Sequence, residues 1–309
     1  MTSKVKRTYA SRPDRLHVPS PSPTLSSLPP VSTKKKRHCD DLHTPAKRAK
    51  VSKEQPKQKT LTQLHFCIEQ TIVRTCSLCK LSYTKGAEDD EALHRAHCAR
   101  VQRGMEWGKE EERETLNAGA KEIQNRVRLK DGKNGRIICV DATVGGKIGS
   151  KLSSLMETMN VALSAPALSP EALRASKAYL LLLPGATPNK AEKIAGCVIA
   201  QRIENAMAVA PSSDTESSLV TVDNSTGLFC YPELLSTALG ISRIFVTSAQ
   251  RRKGIASKLL SAAAATFIHG CTLSPQEGQI AFSQTTGDGT ALMKDWGKGA
   301  IRIYDEDNC

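Results

Sequence analysis

One stretch restricts the possible folds more than any other: Ile241 to Leu260, ISRIFVTSAQRRKGIASKLL. Its first part, with Ile241, Ile244, Phe245, Val246 and Thr247, suits a mostly buried strand, because β-branched and aromatic side chains pack well on a pleated surface. From Ile255 onward helix formers take over, with apolar residues at Ile255, Leu259 and Leu260 on one helical face. Gln250-Arg251-Arg252-Lys253-Gly254-Ile255-Ala256 joins the two parts. A glycine in such a turn lets backbone N–H groups come close to a ligand, and the first helical turn leaves its amides unpaired. A turn of that kind accepts a phosphate or pyrophosphate, with added attraction from the basic run.

The flanking segments place this unit in a mixed α/β sheet. Arg136 to Val140 reads as a strand, and Ile148 to Leu163 carries a helical apolar stripe that suits a core better than a ligand surface. Tyr179 to Leu183 is an apolar strand stopped by Pro184-Gly185, and Ile194 to Ala200 is its hairpin partner. Lys109 to Lys130 is polar and suits a helix or a loose connection, and Ala210 to Asn224 suits a surface loop. After the Ile241 unit come a second strand at Gly278 to Ser283, a loop at Gln284 to Gly289 and a helix at Thr290 to Trp296. Ile301 to Tyr304 is a last strand that closes the sheet. Hairpin strands followed by strand–helix–strand–helix–strand describe a mixed sheet with flanking helices.

Charge divides the chain. Residues 1–60 hold 15 Lys/Arg against 4 Asp/Glu, which is +11 of the total +13. The basic balance therefore belongs to a tail and does not imply a nucleic-acid groove on the folded part. That tail, rich in Pro, Ser, Lys and Arg, is expected to be disordered. Its clusters Lys34 to Arg37 and Pro45 to Val51 resemble a bipartite nuclear-import signal, which implies an import receptor as partner and a nuclear protein, with weak or indirect DNA contact as a secondary effect. Gln58 to Phe66 resembles a degenerate sliding-clamp-binding box, although a plain amphipathic lead-in explains the same residues. No apolar run reaches transmembrane length, and no signal peptide is expected. Ten cysteines without framework spacing suit a reducing compartment.

Cys76-Ser77-Leu78-Cys79 is followed after fourteen residues by His94-Arg95-Ala96-His97-Cys98. The first pair fits a tight knuckle, and His94 and Cys98 lie one helical turn apart on the same face. Thiolates and imidazole in a closed set of four suit structural zinc.

Gln250 to Ala256 looks like the Q/R-x-x-G-x-G/A pyrophosphate loop of the GNAT acetyltransferases. Gly240 to Val246, Ile280 to Thr286 and the Gly104 to Gly108 block narrow the resemblance to the cohesin acetyltransferases, which also carry a single zinc finger ahead of the catalytic domain. In that family the last ligand is usually a histidine, whereas the matching position here is Cys98. The family spacing gives a Cys76, Cys79, His94, Cys98 site with His97 as a neighbour. The resemblance implies a tail over 1–60, a finger over 61–103 and a GNAT domain over 104–309.

The GNAT resemblance implies acetyl-CoA in a gap between two splayed parallel strands. Ile244, Phe245 and Val246 would pair through backbone with its pantetheine arm. Arg251, Arg252, Lys253, Gly254, Ile255, Ala256 and Ser257 would wrap its diphosphate, and Thr286, Gly287 and Asp288 would touch it from the second strand. The reaction implied is acetyl transfer to a lysine amine, whose unperturbed pKa near 10.4 requires a proton acceptor. Ser242 is the candidate positioning or relay group and Asp288 the candidate carboxylate, with Glu277 and Glu233 as further acids. Some relatives carry an acid where this chain has Gln284, so the resemblance does not by itself supply a simple one-carboxylate base here. The implied substrate is the SMC-type ATPase head of cohesin in S phase. A non-catalytic nuclear adaptor and a histone acetyltransferase are the alternatives.

Overall fold

The computed structural model describes residues 72–185, 187, 190–210, 219–223, 228–284 and 286–306. The import-like clusters and the clamp-like segment Gln58 to Phe66 lie outside them, as does most of the Ala210 to Asn224 stretch.

The described residues open on a two-stranded knuckle, β1 (Val73–Thr75) and β2 (Ser82–Thr84), followed by α1 (Glu88–Arg103). Four acids, Glu88 to Glu91, fill the first turn of α1, and Arg100 and Arg103 fill its last, which complements the helix dipole at both ends. Gly104, at a left-handed φ of 77°, ends the helix and turns the chain into β3 (Met105–Trp107). Then come α2 (Lys109–Glu114), β4 (Lys121–Arg128), β5 (Asn134–Asp141), α3 (Gly146–Leu163), α4 (Pro170–Arg174), β6 (Ser176–Leu183) and β7 (Glu192–Arg202). The remainder is β8 (Asn205–Val209), β9 (Val220–Asp223), β10 (Leu228–Ser236), β11 (Leu239–Val246), a 3-10 turn at Ser248–Gln250, α5 (Ile255–Thr266), β12 (Ile280–Phe282), α6 (Gly287–Gly297) and β13 (Arg302–Ile303).

The large sheet runs β4-β5-β6-β7-β11-β12-β13-β8-β10-β9, with β3 also paired to β7. Only β11–β12 and β12–β13 are parallel; every other pairing is antiparallel. Two-residue alternation divides the central strands between two cores. In β6, Tyr179, Leu181 and Leu183 face α5, while Ala178, Leu180 and Leu182 join Ile148, Leu152, Leu155 and Met159 of α3 on the other face. Burying each Leu side chain contributes roughly 2 kcal/mol. Gly196 of β7 makes room for α5, since a Cβ there would come within 2.7 Å of Ile255 Cγ2.

Several elements depart from the sequence expectations. The polar stretch after Lys109 holds a short helix and an edge strand, β4, whose exposed charges discourage pairing with another sheet. The strand at Ile301 does not close the sheet. β13 pairs onward with β8, and β10 and β9 lie beyond. Part of the expected Ala210–Asn224 loop is β9. β10 was hidden by Pro232 and by a register shift between Cys230 and Leu234, both of which blur strand periodicity.

Candidate functional site

β11 and β12 pair in parallel only over Leu239–Ile280, Gly240–Ala281 and Ile241–Phe282. The Ser283 amide then donates to the Ile241 carbonyl at 3.0 Å, and the two strands separate. β11 keeps its other edge on β7, with Ile244 opposite Val198, Phe245 opposite Cys197 and Val246 opposite Gly196. The register shifts between Ile241 and Arg243, so Ser242 sits in a bulge at the point of separation. A cleft of about 460 Å³, its open mouth included, lies there. Ile241, Ser242, Ile244, Phe282, Ser283 and Gln284 contribute to its lining, with Leu163 and Ala165 across from them.

The basic turn follows directly. Arg252 has φ 63° and Gly254 φ 83°, so two left-handed residues flank Lys253 and bring the backbone round to the N-terminus of α5. Gly254 caps α5 without a side-chain hydrogen bond. The first-turn amides of Ile255, Ala256 and Ser257 therefore have no side-chain cap to satisfy them, an arrangement suited to a diphosphate. Lys253 Nζ donates to Gln250 Oε1 (2.8 Å) and pairs with Asp131 (3.0 Å), while its carbonyl accepts from the Lys130 amide (3.2 Å). The β4–β5 turn thus braces the loop from beneath, a role that nothing in its sequence announced.

Ser242 lies in the cleft wall. Its hydroxyl, buried, donates to the Ile199 carbonyl (3.3 Å), and its own carbonyl accepts from Ser283 Oγ (2.9 Å) and Arg243 Nη1 (2.7 Å). Thr286 caps α6 by accepting from the Gly289 amide, so Thr286, Gly287 and Asp288 form a helix start and not the expected loop. Asp288 is largely exposed, lies 3.6 Å from Arg251 and does not line the cleft. Glu277, in the turn before β12, accepts from Gln279 Nε2, and Glu233 is exposed on β10. Among the described residues no carboxylate lines the cleft.

A second cluster lies at the N-terminal end. The knuckle between β1 and β2 presents Cys76 and Cys79, α1 presents His94 and Cys98, and their ligand atoms all fall within 4.8 Å of one another. Lys80, at a left-handed φ of 62°, closes the knuckle with its amide donating to the Cys76 carbonyl. The His94 ring stacks on Tyr83 at 4.1 Å, and Gln102 Nε2 donates to Cys98 Sγ (2.9 Å), orienting two of the four. A backbone hydrogen bond from Cys79 draws the Cys76 thiol down to about 6, while burial pushes Cys79 up to about 11. Three sulfurs and an imidazole fit a closed tetrahedral zinc site. His97 is buried on α1 but stands outside the cluster.

This small module is attached to the large sheet. α1 packs on the 3-10 turn Ser248–Gln250 and on α3, and β3 pairs with β7 at Ile194, Lys193 and Glu192, the positions just past those occupied by β11. At Gly104 a Cβ would run into the Ile194 carbonyl and lie 3.2 Å from Thr247 Cγ2.

Residues 236–304 match the sequence model of a family described as the ESCO1/2 acetyl-transferase, and residues 62–100 match that of the zinc finger of acetyl-transferase ESCO. The N-acetyltransferase ECO1 of Yarrowia lipolytica is 26% identical over 313 residues, which is 99% of this chain and 98% of that protein. Human N-acetyltransferase ESCO2 is 27% identical over 214 residues, or 69% of this chain and 32% of that protein, so the chain spans about a third of that relative. Among solved structures, the xEco2 acetyltransferase domain bound to a K105-CoA conjugate is similar at 25% identity with a TM-score of 0.48, covering 60% of this chain and 97% of that one. Finger and transferase are matched in that order and one relative aligns almost from end to end, so the chain is similar to the ESCO/Eco1-type N-acetyltransferases in both parts.

Proposed function

We propose that this chain transfers acetyl from acetyl-CoA to lysine side chains of the cohesin SMC ATPase head, and so establishes sister-chromatid cohesion in S phase. The observation that carries the reading is the separation of β11 from β12 beside the uncapped start of α5. The edge of Ile244 to Val246 that β12 leaves uncovered would hold the pantetheine arm through backbone groups, with the Arg251 guanidinium, now 3.4 Å from the Val246 carbonyl, at its end. Arg251 to Ser257 would hold the diphosphate, with Thr286 to Asp288 closing from α6. The thioester would then lie at the Ser242 bulge, where the bound geometry supplies much of the acceleration by holding amine and carbonyl carbon together. Ser242 fixes the bulge through its bonds to Ile199, Ser283 and Arg243. Cys76, Cys79, His94 and Cys98 would hold zinc, which shapes the finger and takes no part in the transfer.

In this reading the finger spans 61–103 and the transferase 104–309, while the basic segment 1–60 carries the protein into the nucleus through an import receptor. A sliding clamp engaged through Gln58 to Phe66, and weak DNA contact by the tail, belong to the same proposal. No helix among the described residues is long and apolar enough to cross a membrane.

The test is incubation of the purified chain with labelled acetyl-CoA and a mixture of cohesin SMC heads and histone tails, followed by mass spectrometry of lysines. Acetyl on the SMC head is the expected outcome. Acetyl on histone tails alone would replace the substrate, and no acetyl on any lysine, with no rise in thermal midpoint on adding acetyl-CoA, would leave a non-catalytic adaptor. A hundredfold excess over Kd should stabilise the fold by about 2.7 kcal/mol.

A further inference from the structure

Among the described residues no carboxylate lines the cleft, yet one is held by Arg243, a residue of its wall. Arg243, next to the Ser242 bulge, is 5% exposed and points to the α3 face of the sheet. Its guanidinium donates to Asn160 Oδ1 (3.4 Å), the Pro166 carbonyl (2.8 Å) and the Ser242 carbonyl (2.7 Å), and its Nη1 also pairs with Glu306 Oε1. Glu306 follows β13, which lies on the far side of β12 from β11. The pair therefore spans two strand spacings, roughly 10 Å, and passes over the carboxyl end of β12, where Ser283 and Gln284 turn away. In open α/β sheets that edge, outside the carboxyl ends of parallel strands, is where ligands bind.

The two faces of the sheet divide the work. The diphosphate loop opens α5, on the face where Ile244 and Val246 pack, whereas Arg243, Pro166 and Glu306 meet on the α3 face. Arg243 lines the cleft, so the carboxylate it holds stands on the side from which an amine would approach a thioester at the Ser242 bulge. Only Oε1 is engaged by Arg243, and Oε2 has no partner among the described residues. Arg243 is the charged group touching Glu306, and Asp305 precedes it in the chain. The groups that α3 and its following loop bring to the same guanidinium, Asn160 Oδ1 and the Pro166 carbonyl, are uncharged, as is Gln284.

We propose that Glu306 is the acceptor-side carboxylate of this enzyme, drawing in the lysine ammonium and taking its proton directly or through one water. This rests on the acetyl-transfer reading. The proton passes from N to Glu306, and the neutral amine forms the C–N bond at the thioester carbonyl. The C–S bond then breaks with its electron pair on sulfur, the thiolate is protonated to the free thiol, and the amide nitrogen gives up its surplus proton.

Glu306→Gln keeps an oxygen for Arg243 but cannot accept a proton. It should lose about a hundredfold in kcat at neutral pH, the lower range for a general base. Coenzyme Kd by calorimetry should stay unchanged, and the rate should recover as pH rises toward the pKa of the amine. Glu306→Asp should keep the neutral-pH rate limb at reduced height. A Glu306→Gln rate within threefold of the parent from pH 7 to 10 overturns the proposal. So does a pH-independent loss accompanied by weakened coenzyme binding, or an Asp variant no better than the amide. A parent chain that neither binds acetyl-CoA nor modifies lysine sinks the acetyl-transfer reading itself.

Discussion

Asp131, in the turn between β4 and β5, lies 3.0 Å from Lys253 Nζ in the loop that opens α5, although 122 positions separate them in the chain. The Lys130 amide donates to the Lys253 carbonyl beside that pair, so side chain and backbone both tie the hairpin to the loop. The hairpin acts as a floor that holds Lys253 and leaves Arg252 and the α5 amides turned outward.

Replacing Asp131 with Asn should therefore raise the KM for acetyl-CoA by about two- to fivefold, the scale of a partly exposed ion pair, with kcat preserved. The Lys253 hydrogen bond is the largest cause holding the Asp131 carboxyl below its usual range. A depressed carboxyl contributes above its unfolded pKa and stops contributing as pH falls through the lowered folded value, so between pH 6 and 8 the effect should be constant. Steady-state kinetics at three pH values checks both points. An unchanged KM would mean that the hairpin does not support the loop.

Arg252 adopts φ 63° without being glycine. An L residue there costs about 1 kcal/mol relative to glycine. Arg252→Gly should thus keep or slightly raise the thermal midpoint while weakening acetyl-CoA, because strain is relieved and a cation is lost. Calorimetry and thermal melting on the same sample separate the two effects. Lower stability together with unchanged affinity would show that the side chain serves the fold and not the coenzyme.

The Ile241–Leu260 unit was legible because its signals agree at every level. A β-branched run, a basic glycine turn and an amphipathic helix each specify their own local structure and their neighbour's position. The Cys76/Cys79/His94/Cys98 spacing was legible for the same reason, since knuckle and helix geometry are local. What escaped were relationships set by distant packing. β4 is a polar edge strand whose pairing depends on β5, β8 and β10 extend the sheet past its expected last strand, and Pro232 disguises one of them. The place of Asp288, outside the cleft and against Arg251, follows from α6 starting at Gly287, which three small residues after Thr286 did not announce. Glu306 went unseen because a carboxylate after a short terminal strand has meaning only once β13 is known to lie next to β12.

The finger should report on the coenzyme site without touching it. α1 packs on the Ser248–Gln250 turn that leads into the proposed diphosphate loop. Purified protein should carry one zinc ion per chain, as a closed four-ligand set holds. Cys76→Ser should weaken acetyl-CoA by about fivefold, the small end of coupling between linked sites. Gly104→Ala should do the same while zinc content is retained, because the left-handed φ and the Ile194 carbonyl oppose a Cβ there. Metal analysis alongside calorimetry distinguishes loss of zinc from loss of docking. Full coenzyme affinity in both variants would show that finger and loop are independent.

Arg136 on β5 is a hub whose loss should reshape acid unfolding. Its guanidinium pairs with Glu192 at 2.6 Å and Glu122 at 3.2 Å, and also with Glu112, which accepts from Trp107 Nε1 as well. The hydrogen bond from Arg136 is the largest cause holding the Glu112 carboxyl below its usual range. The folded-state pKa is depressed, so the contribution is present above the unfolded value near 4.3 and disappears as pH falls through the lowered one. Arg136→Met leaves three carboxylates facing one another across α2, β4 and β7 and should cost about 2 kcal/mol at pH 7, the worth of charged hydrogen bonds lost from a partly buried site. Protonating those carboxylates then relieves repulsion in the variant while it removes attraction in the parent. Urea midpoints measured from pH 7 to pH 3 should accordingly converge toward acid, and parallel curves across that range would show that Arg136 contributes through packing and not through its charge.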